Sequence, residues 1–208
     1  MNKVIFIDTL STGMGPDRCG IYRIGGIVTY DAVEKERFDL KGCPWKGARI
    51  NEQSLWIGGE SRGSLVGYAD EKKALSQFTQ LLDRHVSVKN PTDKAYLAGF
   101  NSAGFDVPFL REWFRRCENM RFRDYFHVQT IDIMCLTALL LMNERQGMPG
   151  FHLDTVAHQM GIEYSIRDIY NPVDNAEVCL RIYRKLQMRF GVNECYDETP
   201  VEEITKNY

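Results

Sequence analysis

Three aspartates interrupt apolar stretches of the sequence, where a charged side chain is costly unless it is paired or hydrogen-bonded. Asp8 follows the apolar run at residues 4–7, whereas Asp106 and Asp174 lie in Gly-Phe-Asp-Val-Pro-Phe and Asn-Pro-Val-Asp-Asn-Ala. Carboxylates from separate elements that meet at one point can hold Mg²⁺ or Mn²⁺, and two such ions promote phosphodiester hydrolysis. Asp106 and Asp174 also have a plainer interpretation, because acids are favoured in the first turn of a helix. Packing alone explains Asp8 least well.

Hydrophobic patterning predicts the elements that carry these acids. Apolar runs predict five strands, with Asp8 at the end of the first: Val4–Ile7, Ile21–Tyr30, Val33–Leu40, Tyr96–Phe100 and Gln129–Asp132. Helical spacing predicts five helices, near residues 71–86, 105–117, 133–142, 152–160 and 173–189, the first with Asp70 as its N-cap. Residues 42–70 are predicted to form a long loop with one short helical turn.

The order of these elements, βββαβαβααα, predicts an α/β fold with a mixed central sheet. Its first three strands are expected to form an antiparallel meander. The later strands alternate with helices, which are expected to flank the sheet.

Composition favours a folded protein of one domain. The 208 residues are 44% hydrophobic and 12% aromatic, which excludes a disordered chain and suffices for a sizeable core. No apolar run approaches the length of about 18 residues that a membrane span needs, and the N-terminus does not resemble a signal peptide. The six cysteines show no C-x-x-C spacing, which argues against a zinc site of that spacing and favours reduced thiols in the cytoplasm.

Charge is distributed unevenly along the chain. The net charge of −2 disfavours a charge-driven binder of nucleic acid, but residues 193–208 carry −4 and residues 1–192 therefore carry +2. We expect a domain at residues 1–190 and an acidic, solvated tail at 191–208. Residues 111–123 hold five arginines, two glutamates and three large aromatics. This combination suits single-stranded nucleic acid, although on a helix such aromatics commonly belong to the core.

Around the three aspartates the chain resembles the DnaQ-like 3′→5′ exonucleases of the ribonuclease H-like superfold, over about residues 3–188. Residues 6–13, Phe-Ile-Asp-Thr-Leu-Ser-Thr-Gly, are similar to the family's first motif, Asp-x-Glu-Thr-Thr-Gly. Residues 98–106, which end in Asn-Ser-Ala-Gly-Phe-Asp, resemble the motif Asn-x-x-x-Phe-Asp. Residues 153–162 resemble the family's Leu-x-x-Val-Ala…Leu-Gly-Ile helix, and Asp174 falls where the third motif has its last aspartate.

The resemblance implies a metal-dependent exonuclease that shortens single-stranded DNA or RNA from the 3′ end. Two Mg²⁺ or Mn²⁺ ions would be held by Asp8, Asp106 and Asp174. The glutamate that the family places two residues after its first aspartate is Leu10 here, so one metal ligand is missing. Loss of a ligand should cost more than the 10–100-fold that loss of a supporting partner costs. Glu177 and Asp132 are the acids that could substitute, and each also has a structural interpretation.

The general base differs from the family pattern as well. One branch of the family has a histidine five residues before the last aspartate, and that position is Ile169 here. The other branch has a tyrosine four residues before it, which matches Tyr170. The resemblance therefore implies that Tyr170 orients the attacking water, the alternative being that it packs beside Pro172.

The resemblance also implies the residues that hold the terminal nucleotide. These are the backbone amides from Thr9 to Thr12, the side chains of Ser11, Thr12 and Asn101, and Leu10 as a surface on which a base stacks. Three hypotheses follow. The first is an active exonuclease with an atypical site. The second is a catalytically inactive module that binds nucleic acid or protein, and the third is a subunit that regulates a polymerase or another protein.

Overall fold

A computed structural model describes residues 1–163 and 170–192 and shows a six-stranded sheet flanked by helices. The strands are β1 (Lys3–Ser11), β2 (Ile21–Tyr30), β3 (Val33–Cys43), β4 (Ala69–Asp70), β5 (Ala95–Gly99) and β6 (Phe126–Asp132). The helices are α1 (Glu52–Ile57), α2 (Arg62–Leu65), α3 (Glu71–His85), α4 (Asp106–Arg116), α5 (Phe122–Tyr125), α6 (Ile133–Leu140), α7 (Leu153–Gln159) and α8 (Pro172–Arg189). The predicted α/β class is confirmed.

The strand order is β4-β3-β2-β1-β5-β6. β1, β2 and β3 form the predicted antiparallel meander, and the turn between β2 and β3 has Asp31 and Ala32 at φ 48° and 60°. Two consecutive left-handed residues are typical of the tight hairpin turn that matches strand twist. β5 and β6 run parallel to β1, so the carboxyl ends of these three strands lie at one edge of the sheet. Binding sites of α/β sheets commonly form at such an edge.

Both faces of β1 are covered, as its continuous apolar run predicted. Ile5 and Ile7 belong to the core that includes residues of α3 and α4, whereas Val4 and Phe6 belong to the core that includes residues of α7 and α8. Successive side chains of a strand point to opposite faces, which produces this division. Helices α4 and α8 therefore approach β1 from opposite sides of the sheet.

The five predicted helices are present, and each of their ends lies within two residues of the predicted one. Asp70 caps α3 as expected, because its side chain accepts from the backbone N–H of Lys73. The loop predicted for residues 42–70 is wrong in part, since α1, α2 and β4 lie there. Asn51 and Ser61 cap the two short helices with their side chains, and this capping chemistry carries a local signal that apolar periodicity does not.

The position of Asp8 in its strand also differs from the prediction. β1 continues to Ser11, so Asp8 lies within the strand and not at its end. The reason is that β2 supplies pairing partners along the whole stretch, as far as Ile21 opposite Ser11. β6 likewise begins at Phe126, three residues before the predicted start.

Some predictions fall outside the described residues. Ile169 and residues 193–208 belong to this group, so the boundary at residue 190 and the acidic tail stay predictions. Within residues 1–163 and 170–192, no helix is both long enough and apolar enough to cross a membrane.

Gly25 allows helix α8 to approach the sheet closely. It lies opposite Asp8 in the β1–β2 register. A Cβ atom at Gly25 would lie 2.7 Å from the backbone nitrogen of Val173 and 2.9 Å from the carbonyl carbon of Pro172. The missing side chain therefore makes room for the first turn of α8 directly over the strand pair that carries Asp8.

Replacing Gly25 with alanine should push the first turn of α8 away from β2. We expect a loss of about 1–3 kcal/mol in the free energy of unfolding, as is usual for overpacking, measured by urea denaturation. Gly147→Ala is the matched control, since a Cβ atom at Gly147 would meet no atom of the described residues within 4 Å, and its effect should stay within about 0.5 kcal/mol. Equal unfolding midpoints for the two variants would contradict the close-approach role of Gly25.

Candidate functional site

The site is built around two carboxylates from different elements. Asp8 lies on β1, and Asp106 is the first residue of α4 and only 2% exposed. The Thr9 hydroxyl donates to Asp106 Oδ1 at 2.6 Å, and backbone N–H groups of Thr9 and Asp106 also bond this carboxylate. Helix α4 thus begins at an acid that is held against β1, next to Asp8.

Helix α8 contributes an amide to the same site. Asn175 Nδ2 donates to Asp8 Oδ2 at 3.1 Å, although 167 residues separate the two in the sequence. The helix begins with Asn171, whose side chain accepts from the Val173 N–H, and with Pro172 at its first position. Both are favoured at helix starts, and they set where the first turn, and with it Asn175, meets β1.

Burial raises the pKa values of both acids, and the charge of Asp8 raises that of Asp106 further. Burial raises the pKa of Asp8 to about 6, against a smaller lowering by the Asn175 hydrogen bond. The pKa of Asp106 lies well above its usual range, first because of burial and second because of the Asp8 charge, with the Thr9 hydrogen bonds acting against both. A cation between two such carboxylates would relieve their repulsion, and paired oxygen ligands of this kind suit Mg²⁺ and Mn²⁺.

The third predicted ligand lies on the helix that also contacts Asp8. Asp174 lies in the first turn of α8, but the neighbouring Asn175 is the residue hydrogen-bonded to Asp8. Within residues 1–163 and 170–192, no group of three or more His, Cys, Asp or Glu side chains is arranged to hold a metal ion. The chemistry of Asp8 and Asp106 fits one divalent ion, and a second ion stays a prediction. A role for Asp174 as a ligand stays a prediction.

Leu10, the residue at which the motif resemblance expects a glutamate, has an apolar environment. It lies two residues after Asp8 and therefore on the same face of β1. Its side chain packs against a small cluster formed by Tyr22, Leu55 and Leu65. Helices α1 and α2 supply Leu55 and Leu65, so the segment predicted to be a loop builds an apolar wall beside the acids.

Trp56 is a residue that sequence reasoning missed. It lies on α1, next to Leu55 of this wall, and is 77% exposed. An exposed tryptophan offers a flat surface on which a nucleobase can stack. The only sequence signal was a tryptophan shortly after the capping residue Asn51, in a segment without apolar periodicity.

The two acids that could have substituted for the glutamate have structural roles. Asp132 accepts hydrogen bonds from four backbone N–H groups, those of Asn101, Ala103, Met134 and Cys135. It thereby caps α6 and holds the loop that leads into α4. Glu177 forms an ion pair with Arg37 at 2.5 Å. The structural interpretation is confirmed for both.

The residues predicted to hold the terminal nucleotide are placed as follows. Ser11 and Thr12 are buried, and their hydroxyls donate to the carbonyls of Gly13 and Arg49 at 2.6 and 2.7 Å. These bonds give both side chains a structural role, and their contact with a nucleotide stays a prediction. Asn101 is exposed, with φ 60°, in the loop before α4.

The predicted base, Tyr170, lies directly before the residue that caps α8. It is 48% exposed. Its neighbour Asn171 is anchored to both its own helix and β2, since it accepts from Val173 N–H and from Arg23 at 3.4 Å. A role for Tyr170 in orienting water stays a prediction, and Ile169 lies outside the described residues.

Comparison with known proteins identifies the class. Residues 56–181, more than half of the chain, match the sequence profile of the RNase_H superfamily, and the chain belongs to that superfamily. The predicted ribonuclease H-like sheet and the resemblance to 3′→5′ exonucleases are confirmed at the level of the fold. No curated protein matches the sequence.

Solved structures of exonuclease I are similar to this chain. Escherichia coli exonuclease I in complex with a dT13 oligonucleotide superposes with a TM-score of 0.73 at 16% identity, covering 92% of this chain and 42% of that one. A zinc-bound E. coli complex with single-stranded DNA gives 0.72 at 16% identity, covering 91% and 41%, and a product-bound exonuclease I gives 0.71 at 15%, covering 92% and 45%. This chain therefore spans less than half of the length of these nucleases, and at such identity the likeness shows the fold.

The raised pKa of Asp8 makes a prediction about stability and pH. A carboxyl with a pKa of about 6 in the folded chain and 3.8 as its ordinary value favours folding when protonated. That contribution is present below pH 4 and is lost as pH rises through 6, by about 3 kcal/mol at most. In EDTA, Asp8→Asn should therefore be more stable than the parent at pH 7 but not at pH 4, measured by urea unfolding.

Asp17→Asn, which changes an acid with a 70% exposed side chain, is the control for this comparison. It should track the parent at both pH values. If the parent gained stability relative to Asp8→Asn between pH 4 and pH 6, Asp8 would be stabilising as an anion and the description of the pair would be wrong.

Proposed function

We propose that this chain binds the 3′ end of single-stranded DNA or RNA at the Asp8–Asp106 pair and hydrolyses the terminal phosphodiester slowly, with Mg²⁺ or Mn²⁺. The observation that carries the proposal is the juxtaposition of half-buried Asp8 and buried Asp106, whose pKa values are both raised. Their hydrogen-bond donors within the described residues are a hydroxyl, an amide and backbone N–H groups. Two adjacent anions without a cationic side-chain donor form a natural site for a metal ion.

The protein's own residues prepare this site for a phosphate ester. The Thr9 hydroxyl and the backbone N–H groups of Thr9 and Asp106 orient the Asp106 carboxylate, and the Asn175 amide fixes one oxygen of Asp8, so that a cation can bind between the two acids. The chemistry that a bound Mg²⁺ or Mn²⁺ supplies is charge stabilisation at the phosphate and a lower pKa for a water. Tyr170 is proposed to orient that water, and exposed Trp56 to stack on the terminal base.

The proposed substrate is supported by the nature of the structural neighbours. Exonuclease I was solved with dT13 and dA16 oligonucleotides, both of which are single strands of DNA. Five cysteines of the described residues are free thiols, which accords with the expected cytoplasmic location.

A second function, a binding module without hydrolysis, is favoured by one observation. Leu10 is packed into the apolar cluster of Tyr22, Leu55 and Leu65, so the ligand missing beside Asp8 is replaced by an apolar wall. The two functions share the fold and the acidic pair. They differ in whether metal bound at that pair cleaves the strand.

A nuclease assay on a 5′-labelled oligo(dT) separates the two functions. In Mn²⁺ the parent should shorten the strand slowly from its 3′ end, and Asp106→Asn should lose at least about 100-fold of that rate because one of two ligands is gone. Leu10→Glu restores an acidic ligand and should raise the rate at least about 10-fold. Leu10→Gln, which has the same shape without the charge, should not.

The product ladder and the variants decide the outcome. If the parent, Asp106→Asn and Leu10→Glu give the same product ladder and still bind the strand, the proposed hydrolysis is contradicted. The binding module is then the function that remains. A parent protein that does not bind the strand would contradict both functions.

A further inference from the structure

A cavity of about 610 Å³ lies beside the C-terminal half of α4, away from the acid at the start of that helix. Its walls come from α4, α5 with the turn before it, and the first residues of β6. We name it the arginine groove, after the lining residues Arg111, Arg115, Phe122, Arg123, His127 and Val128. Neither Asp nor Glu is among the described residues that line it.

Two of the groove's arginines are available for an anion. Arg115 is engaged with Glu112 one helical turn away. Within the described residues, Arg111 and Arg123 have no acidic partner. An exposed guanidinium that lacks an acidic partner is a preferred ligand for phosphate oxygens, because its fork of N–H groups matches them.

The same groove offers surfaces for bases. The Arg111 guanidinium lies 5.6 Å from the centre of the Phe122 ring, and Phe122 is itself braced by Phe114 and Phe126. An aromatic ring covered by a guanidinium forms a platform on which an unpaired base can stack. Val128, which is 72% exposed, also lines the groove. Phosphate ligands and flat apolar surfaces therefore lie side by side.

The groove and the acidic pair lie along one helix. Asp106 and Arg115 are nine residues apart on α4, which is about 13.5 Å at the rise of an α-helix. A single strand with stacked bases advances about 3.4 Å per nucleotide, so about four nucleotides span this distance.

We infer that the arginine groove binds the upstream part of the single-stranded nucleic acid whose 3′ end lies at Asp8 and Asp106. This inference rests on the proposed function for the choice of strand end. It assigns Arg111 and Arg123 to phosphates about four nucleotides from that end and the Phe122–Arg111 stack to a base.

An acidic peptide that adds a strand to the edge of the sheet fits the groove less well. β6 is the edge strand, but its pairing with β5 is irregular here. Ala95 and Leu97, two residues apart, pair with Phe126 and Thr130, which are four residues apart. The resulting bulge breaks the regular ladder that a pairing peptide needs.

Fluorescence anisotropy with 5′-fluorescein oligo(dT) in EDTA tests the inference. The double variant Arg111→Glu/Arg123→Glu should bind dT15 at least 10-fold more weakly than the parent, while its affinity for dT4 changes less than twofold. The loss of two phosphate contacts should also lower the slope of log K against log salt by about 1.4. Arg111→Gln/Arg123→Gln should show an intermediate loss.

The control variant Lys35→Glu/Arg189→Glu makes the same change in net charge at exposed positions on β3 and at the end of α8. It should bind dT15 within twofold of the parent. An equal loss in the control would overturn the inference, because general repulsion would then explain the effect. An equal loss of dT4 affinity in Arg111→Glu/Arg123→Glu would overturn it too. Displacement of dT15 by polyglutamate at an equal concentration of charges would also overturn it.

Failure of this inference is distinguishable from failure of the proposed function. A parent that does not hydrolyse the strand but shows groove-dependent binding of dT15 contradicts the hydrolysis alone. A parent that hydrolyses the strand, with binding of dT15 indifferent to Arg111 and Arg123, contradicts the groove alone.

Discussion

The repulsion between the half-buried carboxylate of Asp8 and the buried carboxylate of Asp106 is the interaction on which the candidate site depends. Asp8 raises the pKa of Asp106 because the two lie close together in a poorly solvated environment. A folded protein tolerates such a pair only if the groups are protonated, hydrogen-bonded or bridged by a cation. The Thr9 hydroxyl donates to Asp106 and the Asn175 amide donates to Asp8, and backbone N–H groups add further bonds to Asp106. The two acids therefore favour the binding of a cation at this site.

The fold is arranged to keep this pair together. β1 is covered on both faces, so α4 brings Asp106 from one side and α8 brings Asn175 from the other. The loop that leads into α4 is held by Asp132, and the first turn of α8 rests against Gly25. Each support acts through backbone atoms, which restricts how far the acids can separate. Holding the two acids close together therefore costs free energy of folding, and a bound metal ion would offset that cost.

Much of this arrangement was visible in the sequence, and the remainder depends on contacts between distant residues. Asp8 and Asp106 could be singled out because charged residues in apolar runs need a partner, and the helix starting at Asp106 was predicted close to its observed position. The donor Asn175 could not be found this way, since 167 residues separate it from Asp8. The length of β1 beyond Asp8 likewise follows from pairing with β2 and not from local composition.

Leu10 and the arginine groove show the same division between sequence and structure. The absence of a glutamate at position 10 was evident from the motif, but its packing against Leu55 and Leu65 required the helices of a segment predicted to be a loop. In residues 111–123, Trp113 and Phe114 proved to be core residues, whereas Arg111 and Arg123 line a cavity. Composition alone could not separate these two groups, because both occur within the same 13 residues of the sequence.

The central claim is that Asp8 and Asp106 together form the site of one divalent cation. Counting bound Mn²⁺ by electron paramagnetic resonance, with the parent and Asp106→Asn titrated side by side at pH 7.5, tests it most directly. The structure predicts one tightly bound ion per chain in the parent and none in the variant. Two tightly bound ions in the parent, or undiminished binding in Asp106→Asn, would contradict it.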